Sequence, residues 1–163
     1  IAGMAITEER KKVLLFSDPY YESGLTIMVP KNSTIQSIKD LEGKKIAVQI
    51  GTMSSKKAKE ILNASVREFN TSADAFMELK NGGADAVINH IPVIKYYMLK
   101  NGGADSPFKI AGAPLSTASD AIATKKENKE LMEKVNKAMK ELKDSGEFDA
   151  LYEKWFGEKP PKK

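Results

Sequence analysis

Ala2-Gly3-Met4-Ala5-Ile6-Thr7-Glu8-Glu9-Arg10 is the segment around which the fold is organised. A short apolar strand end leads through Gly3 to Thr7, a residue type that is favoured at the N-cap of a helix. Arg10 follows in the first turn and presents a planar guanidinium, which can pair with a carboxylate through two hydrogen bonds. Taken alone, these residues favour an ordinary capped helix with a solvated arginine over a carboxylate-binding site.

Composition and charge narrow the class of protein. Of the 163 residues, 41% are hydrophobic and 29% are charged, which is typical of one globular domain or two small ones. The net charge is +4, but 24 of the 26 basic residues are lysines scattered beside glutamates, so nucleic-acid binding is not expected. The chain has no cysteine, which excludes a disulfide framework, a zinc–thiolate site and a thiol nucleophile.

Short apolar segments alternate with helical patterns along most of the chain. The predicted strands are 13–16, 20–29, 44–50, 66–69, 86–89 and 108–111, with a further one at 121–124. Because strands that alternate with helices form βαβ units, the pattern predicts a mostly parallel sheet with helices on its faces.

The end of the chain has a different pattern. A long helix is predicted from Asn128, and Gly146 ends it. The next helix carries Phe148, Leu151 and Trp155 on one stripe, which we interpret as core packing rather than a cofactor site.

Several stretches together carry a family resemblance that covers essentially the whole chain. They are Ala2 to Arg10, Phe16-Ser17-Asp18-Pro19-Tyr20-Tyr21, Asp40-Leu41-Glu42-Gly43-Lys44-Lys45-Ile46-Ala47-Val48-Gln49 with Gly51-Thr52, Ala84-Asp85-Ala86-Val87, and Tyr152-Glu153-Lys154-Trp155-Phe156-Gly157. In this order and spacing, the chain resembles the polar amino-acid-binding periplasmic proteins, which are type II solute-binding proteins of ABC transporters. Within them it is most similar to the glutamine-binding branch, although the N-terminal third of a typical member is expected to be missing.

The resemblance implies a periplasmic-binding-protein-like (type II) α/β fold in which two lobes close on a ligand. Residues 1–22 would form part of the first lobe and the first crossover, 23–113 the complete second lobe, and 114–163 the second crossover and the C-terminal helices of the first lobe. Because the first lobe is then partial, the last two helices are expected to expose an apolar face. We therefore predict a companion segment or a domain-swapped homo-oligomer that completes this lobe.

The resemblance also implies a ligand site. Arg10 matches the arginine that pairs with the α-carboxylate of an amino acid, and the amides at Ala5 and Met53 match the backbone donors beside it. Gly3 matches the glycine whose carbonyl accepts a hydrogen bond from the α-ammonium. Thr52 matches a threonine at a helix start, where backbone amides favour an anion.

Some site positions depart from the family pattern. The aspartate that normally binds the ammonium falls at His90, and an imidazole supplies no anion. Ala5 replaces a serine or threonine, and Met53 replaces a residue that is often small. Asp120 and Ala121 stand where the second crossover usually carries an aromatic residue and a glycine.

The remaining candidate residues allow more than one interpretation. Gln49 and Asn89 occupy positions that recognise the ligand side chain, but they could equally be satisfied polar ends of buried strands. His90 with Ser54 and Asp120 suggests a nucleophilic triad, which we do not favour because no G-x-S-x-G signature supports it. No cluster of His, Cys and carboxylate residues has the spacing of metal ligands, so neither a metal nor a cofactor is predicted.

Together these features predict a non-enzymatic solute-binding component of an amino-acid ABC transporter. It would bind a polar, glutamine-like L-amino acid between two lobes and then dock on a membrane permease. The expected location is periplasmic or extracellular, with a lipid anchor in a Gram-positive source, and no signal segment is expected within this chain. Two alternatives stay open: an engineered or degenerated fragment that folds without binding an amino acid, and a dehydratase-like enzyme, which would need an acid near Arg10.

Overall fold

A computed structural model of the chain describes residue 1 and residues 3–160. Ala2, from the opening segment, and residues 161–163, from the predicted third segment, lie outside the described residues. The chain divides into two compact units. Unit 1 comprises Ile1–Ser23 and Thr117–Lys163, and unit 2 comprises Gly24–Ser116.

The elements follow one another as an alternation of strands and helices. In chain order they are β1 (Met4–Ala5), α1 (Glu8–Val13), β2 (Leu14–Phe16), β3 (Tyr21–Ser23), β4 (Leu25–Pro30), a 3₁₀ helix (Ile38–Leu41), β5 (Lys45–Gln49), α2 (Met53–Lys59), β6 (Ser65–Phe69), α3 (Ser72–Lys80), β7 (Ala86–His90), α4 (Ile91–Lys100), a second 3₁₀ helix (Gly103–Asp105), β8 (Phe108–Ala111), β9 (Ala118–Ala121), β10 (Ala123–Lys125), α5 (Lys129–Asp144) and α6 (Glu147–Phe156). None of the helices within residues 3–160 is long and apolar enough to cross a membrane.

Unit 2 is built on a five-stranded sheet with the order β6-β5-β7-β4-β8. β5 pairs in parallel with β6 and β7, whereas β4 pairs antiparallel with β7 and β8. Four of the five strands therefore point the same way, so the sheet is mostly parallel, as predicted, with β4 running in the opposite direction. β4 runs in the opposite direction because it enters the sheet directly from unit 1 without a crossover helix, and the local sequence pattern carries no signal for this direction.

The core of unit 2 lies on both faces of this sheet. Ile46 and Val48 of β5 pack on one face in a cluster that includes Ala58 of α2. Ala47, which lies between them, belongs to the cluster on the opposite face with Phe76 of α3. This division follows from the two-residue period of a strand, and it explains why the strand sequence reads as continuously apolar.

Unit 1 contains two small antiparallel sheets. One has the order β1-β9-β3, and the other pairs β10 with β2. The strand predicted over 20–29 is in fact two strands, because β3 pairs with β9 in unit 1 and β4 pairs with β7 in unit 2. Gly24 separates them, and a change of pairing partner has no signature in an uninterrupted apolar run.

The apolar face of α6 differs from the predicted stripe. Leu151 and Trp155 are each 49% exposed, whereas Tyr152 is buried and its ring stacks on that of Tyr21 with the centroids 5.6 Å apart. Phe148 and Phe156 also contact the Tyr152 ring. Residues four apart share a helix face, so the core face is centred on Tyr152 and not on Leu151.

Candidate ligand-binding site

A first group of candidate residues lies at the start of α1 in unit 1. Thr7 is the N-cap of this helix, as predicted, and its hydroxyl accepts a hydrogen bond from the amide of Arg10 at 3.2 Å. The Arg10 side chain turns back toward β1, where Nη1 donates to the carbonyl of Ala5 at 2.8 Å. This contact fixes an otherwise exposed guanidinium and leaves its remaining N–H groups available for an anion.

Asp120 lies in the same unit as Arg10, on the central strand of the β1-β9-β3 sheet. It is the direct partner of Ala5 on one side and of Tyr21 on the other. Asp120 is 5% exposed, and its Oδ1 accepts a hydrogen bond from the hydroxyl of Ser23 at 2.9 Å. The Asp120 carboxylate thus lies buried beside β1, the strand whose Ala5 carbonyl binds the Arg10 side chain.

Gly3 lies beside Asp120 and contributes its backbone to the candidate residues of unit 1. Its φ of +60° is a conformation that glycine adopts without steric cost, and a Cβ placed there would lie 4.0 Å from Oδ2 of Asp120. The Gly3 amide donates to the hydroxyl oxygen of Tyr20 at 3.2 Å. Burial raises the pKa of Tyr20, the Gly3 amide opposes that shift, and the charge of Asp120 adds to it, so this phenol stays protonated at neutral pH.

A second group of candidate residues forms a polar network in unit 2. Ser72, the first residue of α3, donates from its hydroxyl to Oε1 of Gln49 at 2.9 Å. Asn89 donates from Nδ2 to the same Ser72 oxygen at 2.9 Å. The other ends are also satisfied, because Gln49 Nε2 donates to the carbonyl of Asn70 and Asn89 Oδ1 accepts from the amide of His90. The sequence analysis missed the role of Ser72.

Topology explains this network. Gln49 ends β5, Asn89 lies near the end of β7, and the two strands run in the same direction. The carboxyl ends of parallel strands and the start of the following helix meet at one edge of a sheet. A polar residue that opens a helix after such a strand is therefore a signal that could have identified Ser72.

The remaining candidates of unit 2 lie at helix starts. Thr52 is the N-cap of α2, where its hydroxyl donates to the carbonyl of Gln49 at 2.7 Å and accepts from the amide of Ser55. Met53 opens the helix with a side chain that is 49% exposed. His90 is the N-cap residue of α4 and is half-buried.

The structure thus collects the candidates in two groups. Unit 1 holds Gly3, Ala5, Arg10 and Asp120, and unit 2 holds Gln49, Thr52, Met53, Asn89 and His90. Ser54, the nucleophile of the disfavoured triad, is 1% exposed, and its hydroxyl lacks a hydrogen-bond partner among the described residues. A hydroxyl so deeply buried is not accessible to a substrate. No three His, Cys, Asp or Glu side chains within the described part of the chain are grouped as metal ligands.

This fold, with its polar groups at the carboxyl edge of a mixed sheet, is that of a solute-binding protein. The chain belongs to the bacterial extracellular solute-binding proteins, family 3, whose model matches residues 1–158. The predicted family and its periplasmic-binding-protein-like α/β fold are thereby confirmed.

Three similar proteins illustrate the range of the family. The chain is 36% identical to the ABC transporter glutamine-binding protein GlnH and 40% identical to the arginine-binding extracellular protein ArtP, both of Bacillus subtilis (strain 168). In each comparison 98% of this chain is covered, but only 58% and 63% of those two relatives. An ancestral arginine-binding protein, solved with bound glutamine, is 45% identical with a TM-score of 0.76, over 96% of this chain and 69% of that one.

Proposed function

We propose that this chain is the solute-binding component of an amino-acid ABC transporter and that it binds a polar L-amino acid without chemical turnover. The observation that carries the proposal is the hydrogen bond from Arg10 Nη1 to the Ala5 carbonyl, 2.8 Å long. It holds the Arg10 guanidinium at a fixed place beside β1, with N–H donors left over for an anion. A ligand carboxylate matches that fork in geometry and in charge.

The α-carboxylate and α-ammonium groups of the ligand are proposed to contact candidate residues of unit 1 and of unit 2. Arg10 and the Ala5 amide bind the α-carboxylate, and the carbonyl of Gly3 accepts from the α-ammonium. Thr52 and the amide of Met53 contribute from unit 2, where the first amides of a helix have no partner within the helix. His90 and Asp120 complete the contact set.

The side-chain end of the ligand is proposed to contact Gln49 and Asn89. Their amides are linked through Ser72, and neither carries a charge. A carboxamide both donates and accepts hydrogen bonds, so it matches such neutral groups better than a cation does. We therefore propose a glutamine-like ligand, although relatives of similar identity are named for arginine as well as for glutamine.

Isothermal titration with L-glutamine, L-arginine and L-histidine tests the proposal. We expect L-glutamine to bind, and we expect Arg10→Ala to abolish that binding because the ligand carboxylate loses its cation. The matched control is Arg67→Ala, which removes the chain's only other arginine, an exposed residue of unit 2 paired with Glu78. If the wild type binds none of the three amino acids, the better interpretation is a fragment that folds without binding an amino acid.

The setting of this activity is part of the same proposal. A solute-binding component acts outside the cell membrane, in the periplasm or at the cell surface, and delivers its ligand to a membrane permease. Crosslinking of the liganded protein to its cognate permease in membrane vesicles tests this role. The expected product forms with L-glutamine present and is lost with Arg10→Ala.

A companion for unit 1 is proposed on separate grounds. Helices α5 and α6 expose Leu131, Leu142 and Leu151, which are 52%, 38% and 49% exposed. Apolar side chains of this size on one pair of helices are typical of a face that another segment covers. We propose that a companion segment or a domain-swapped second copy covers them. Sedimentation equilibrium tests for the second copy. If a second copy covers this face, the protein is expected to be a dimer, and Leu131→Lys is expected to weaken that dimer.

A further inference from the structure

Asp120 is the only Asp, Glu, Lys or Arg among the buried residues that the structure describes. Removing a carboxylate from water is costly unless a cation or several hydrogen bonds compensate it. Asp120 Oδ1 has the hydroxyl of Ser23 as its partner, and none of the ion pairs between described residues includes Asp120. Within the described part of unit 1, Asp120 is therefore a buried carboxylate without a side-chain cation.

The position of this carboxylate is tied to that of Arg10 through Ala5. Arg10 donates to the carbonyl of Ala5, and Ala5 is the residue directly opposite Asp120 in the antiparallel pair of β1 and β9. Residues opposite each other in such a pair have Cα atoms about 4.5–5.5 Å apart and side chains on the same face. The guanidinium of Arg10 and the carboxylate of Asp120 are thus both placed by Ala5, and a zwitterion carries a carboxylate for the first and an ammonium for the second.

Two small residues border the carboxylate on the side of β1. Gly3 has no side chain, and a Cβ at that position would lie 4.0 Å from Asp120 Oδ2. Ala5 carries only a methyl group on the face that it shares with Asp120. Ser23 binds the other oxygen, Oδ1, and so orients the carboxylate with Oδ2 toward Gly3.

We propose that Asp120 binds the α-ammonium group of the ligand and supplies the anion that His90 does not. This inference rests on the proposed function, because it needs an amino acid whose carboxylate is held by Arg10. Ser23 is then a positioning residue for Asp120. The ligand's ammonium becomes the cation that compensates the buried charge, so the ammonium and Asp120 stabilise each other.

The test compares L-glutamine with glutaramate, the same molecule without its α-amino group. For Asp120→Asn we expect affinity for L-glutamine to fall about tenfold to a hundredfold, the range typical of a hydrogen bond to a charged group. Affinity for glutaramate is expected to stay within about twofold of the wild type. Asp18→Asn is the matched control, since it makes the same chemical change at an exposed aspartate of unit 1 and is expected to alter neither affinity.

A second variant keeps the test decisive if Asp120→Asn does not fold. Ser23→Ala leaves the carboxylate in place but removes its hydroxyl partner, and we expect a loss of about fivefold for L-glutamine alone. An equal loss for both probes, in either variant, would show a purely structural role and overturn the assignment. The assignment would also be overturned if Asp120→Asn bound L-glutamine with wild-type affinity while Arg10→Ala abolished binding. If the wild type binds neither probe, the proposed function fails first and this inference fails with it.

Discussion

The hydroxyl of Ser72 donates a hydrogen bond to Oε1 of Gln49 at 2.9 Å. Gln49 Nε2 in turn donates to the carbonyl of Asn70, so both ends of the Gln49 amide are held. One N–H and one lone pair of that amide stay free. A ligand carboxamide can use both, whereas a guanidinium has only donors and leaves the free N–H of Gln49 without an acceptor.

Ser72→Ala is therefore expected to reduce the preference for L-glutamine over L-arginine. Losing one hydrogen bond lets the Gln49 amide rotate, and we expect the affinity ratio of the two ligands to fall about fivefold. Titration of both amino acids measures this ratio. Ser72→Thr keeps the hydroxyl and is the control, so the same drop in both variants would contradict the orienting role.

A hydroxyl at position 5 is expected to strengthen binding of the zwitterion. Ala5 is 6% exposed and faces the same side of the sheet as Asp120. In Ala5→Thr the new hydroxyl can accept from the ammonium while the ligand also contacts Asp120, and we expect affinity for L-glutamine to rise about threefold to tenfold. Ala5→Val has the same shape without the oxygen. Equal affinities for the two variants would show that the hydroxyl has no part in binding.

The sequence predicted those parts of the fold that local pattern determines. Thr7 was expected to cap a helix with Arg10 in its first turn, and the structure confirms both. A long helix was expected from Asn128 to a break at Gly146, and α5 begins directly after Asn128 and ends before Gly146. Caps and apolar periodicity act over a few residues, so a single sequence carries them.

Features that depend on distant residues were not predictable in this way. The pairing that places Ala5 opposite Asp120 joins strands more than a hundred residues apart, and nothing near either residue indicates it. The bond between Ser72 and Gln49 spans 23 residues and depends on the parallel pairing of β5 with β6. The prediction of the α6 core face was wrong for a related reason, because Tyr21 of a distant strand determines which side of the helix is covered.

Gly112 and Gly43 allow a paired test of backbone packing in unit 2. Both have a φ of +69°, but a Cβ at Gly112 would lie 2.3 Å from the carbonyl oxygen of Gln36, whereas one at Gly43 would meet nothing within 4 Å. Gly43→Ala is expected to lower the free energy of unfolding by about 1 kcal/mol through backbone strain alone. Gly112→Ala should cost about 1–3 kcal/mol more, because the carbonyl must move. Urea unfolding followed by circular dichroism measures both, and equal losses would contradict the close approach.

Acid is expected to destabilise unit 2 partly through Asp40, whose side chain caps the N-terminal end of the 3₁₀ helix Ile38–Leu41. Its Oδ2 accepts from the amide of Gln36, the amide of Ser37 and the Ser37 hydroxyl at 2.9–3.0 Å. These bonds, that of the Gln36 amide above all, hold the pKa of Asp40 below its usual 3.8. A carboxyl whose pKa is lower in the folded than in the unfolded state contributes its full stabilisation above the unfolded pKa and loses it as the pH falls through the folded pKa.

The window for this effect thus begins near pH 4, the unfolded pKa of an aspartate, and extends below it. Asp40→Asn is expected to be less stable than the wild type at pH 6 and to lose less stability between pH 5 and pH 3, as measured by urea unfolding at each pH. Asp105→Asn makes the same change in net charge at another exposed aspartate of unit 2, so comparison of the two variants isolates the bonded carboxylate. If Asp40→Asn loses stability in parallel with the wild type over this range, the carboxylate of Asp40 does not contribute to the acid sensitivity of unit 2.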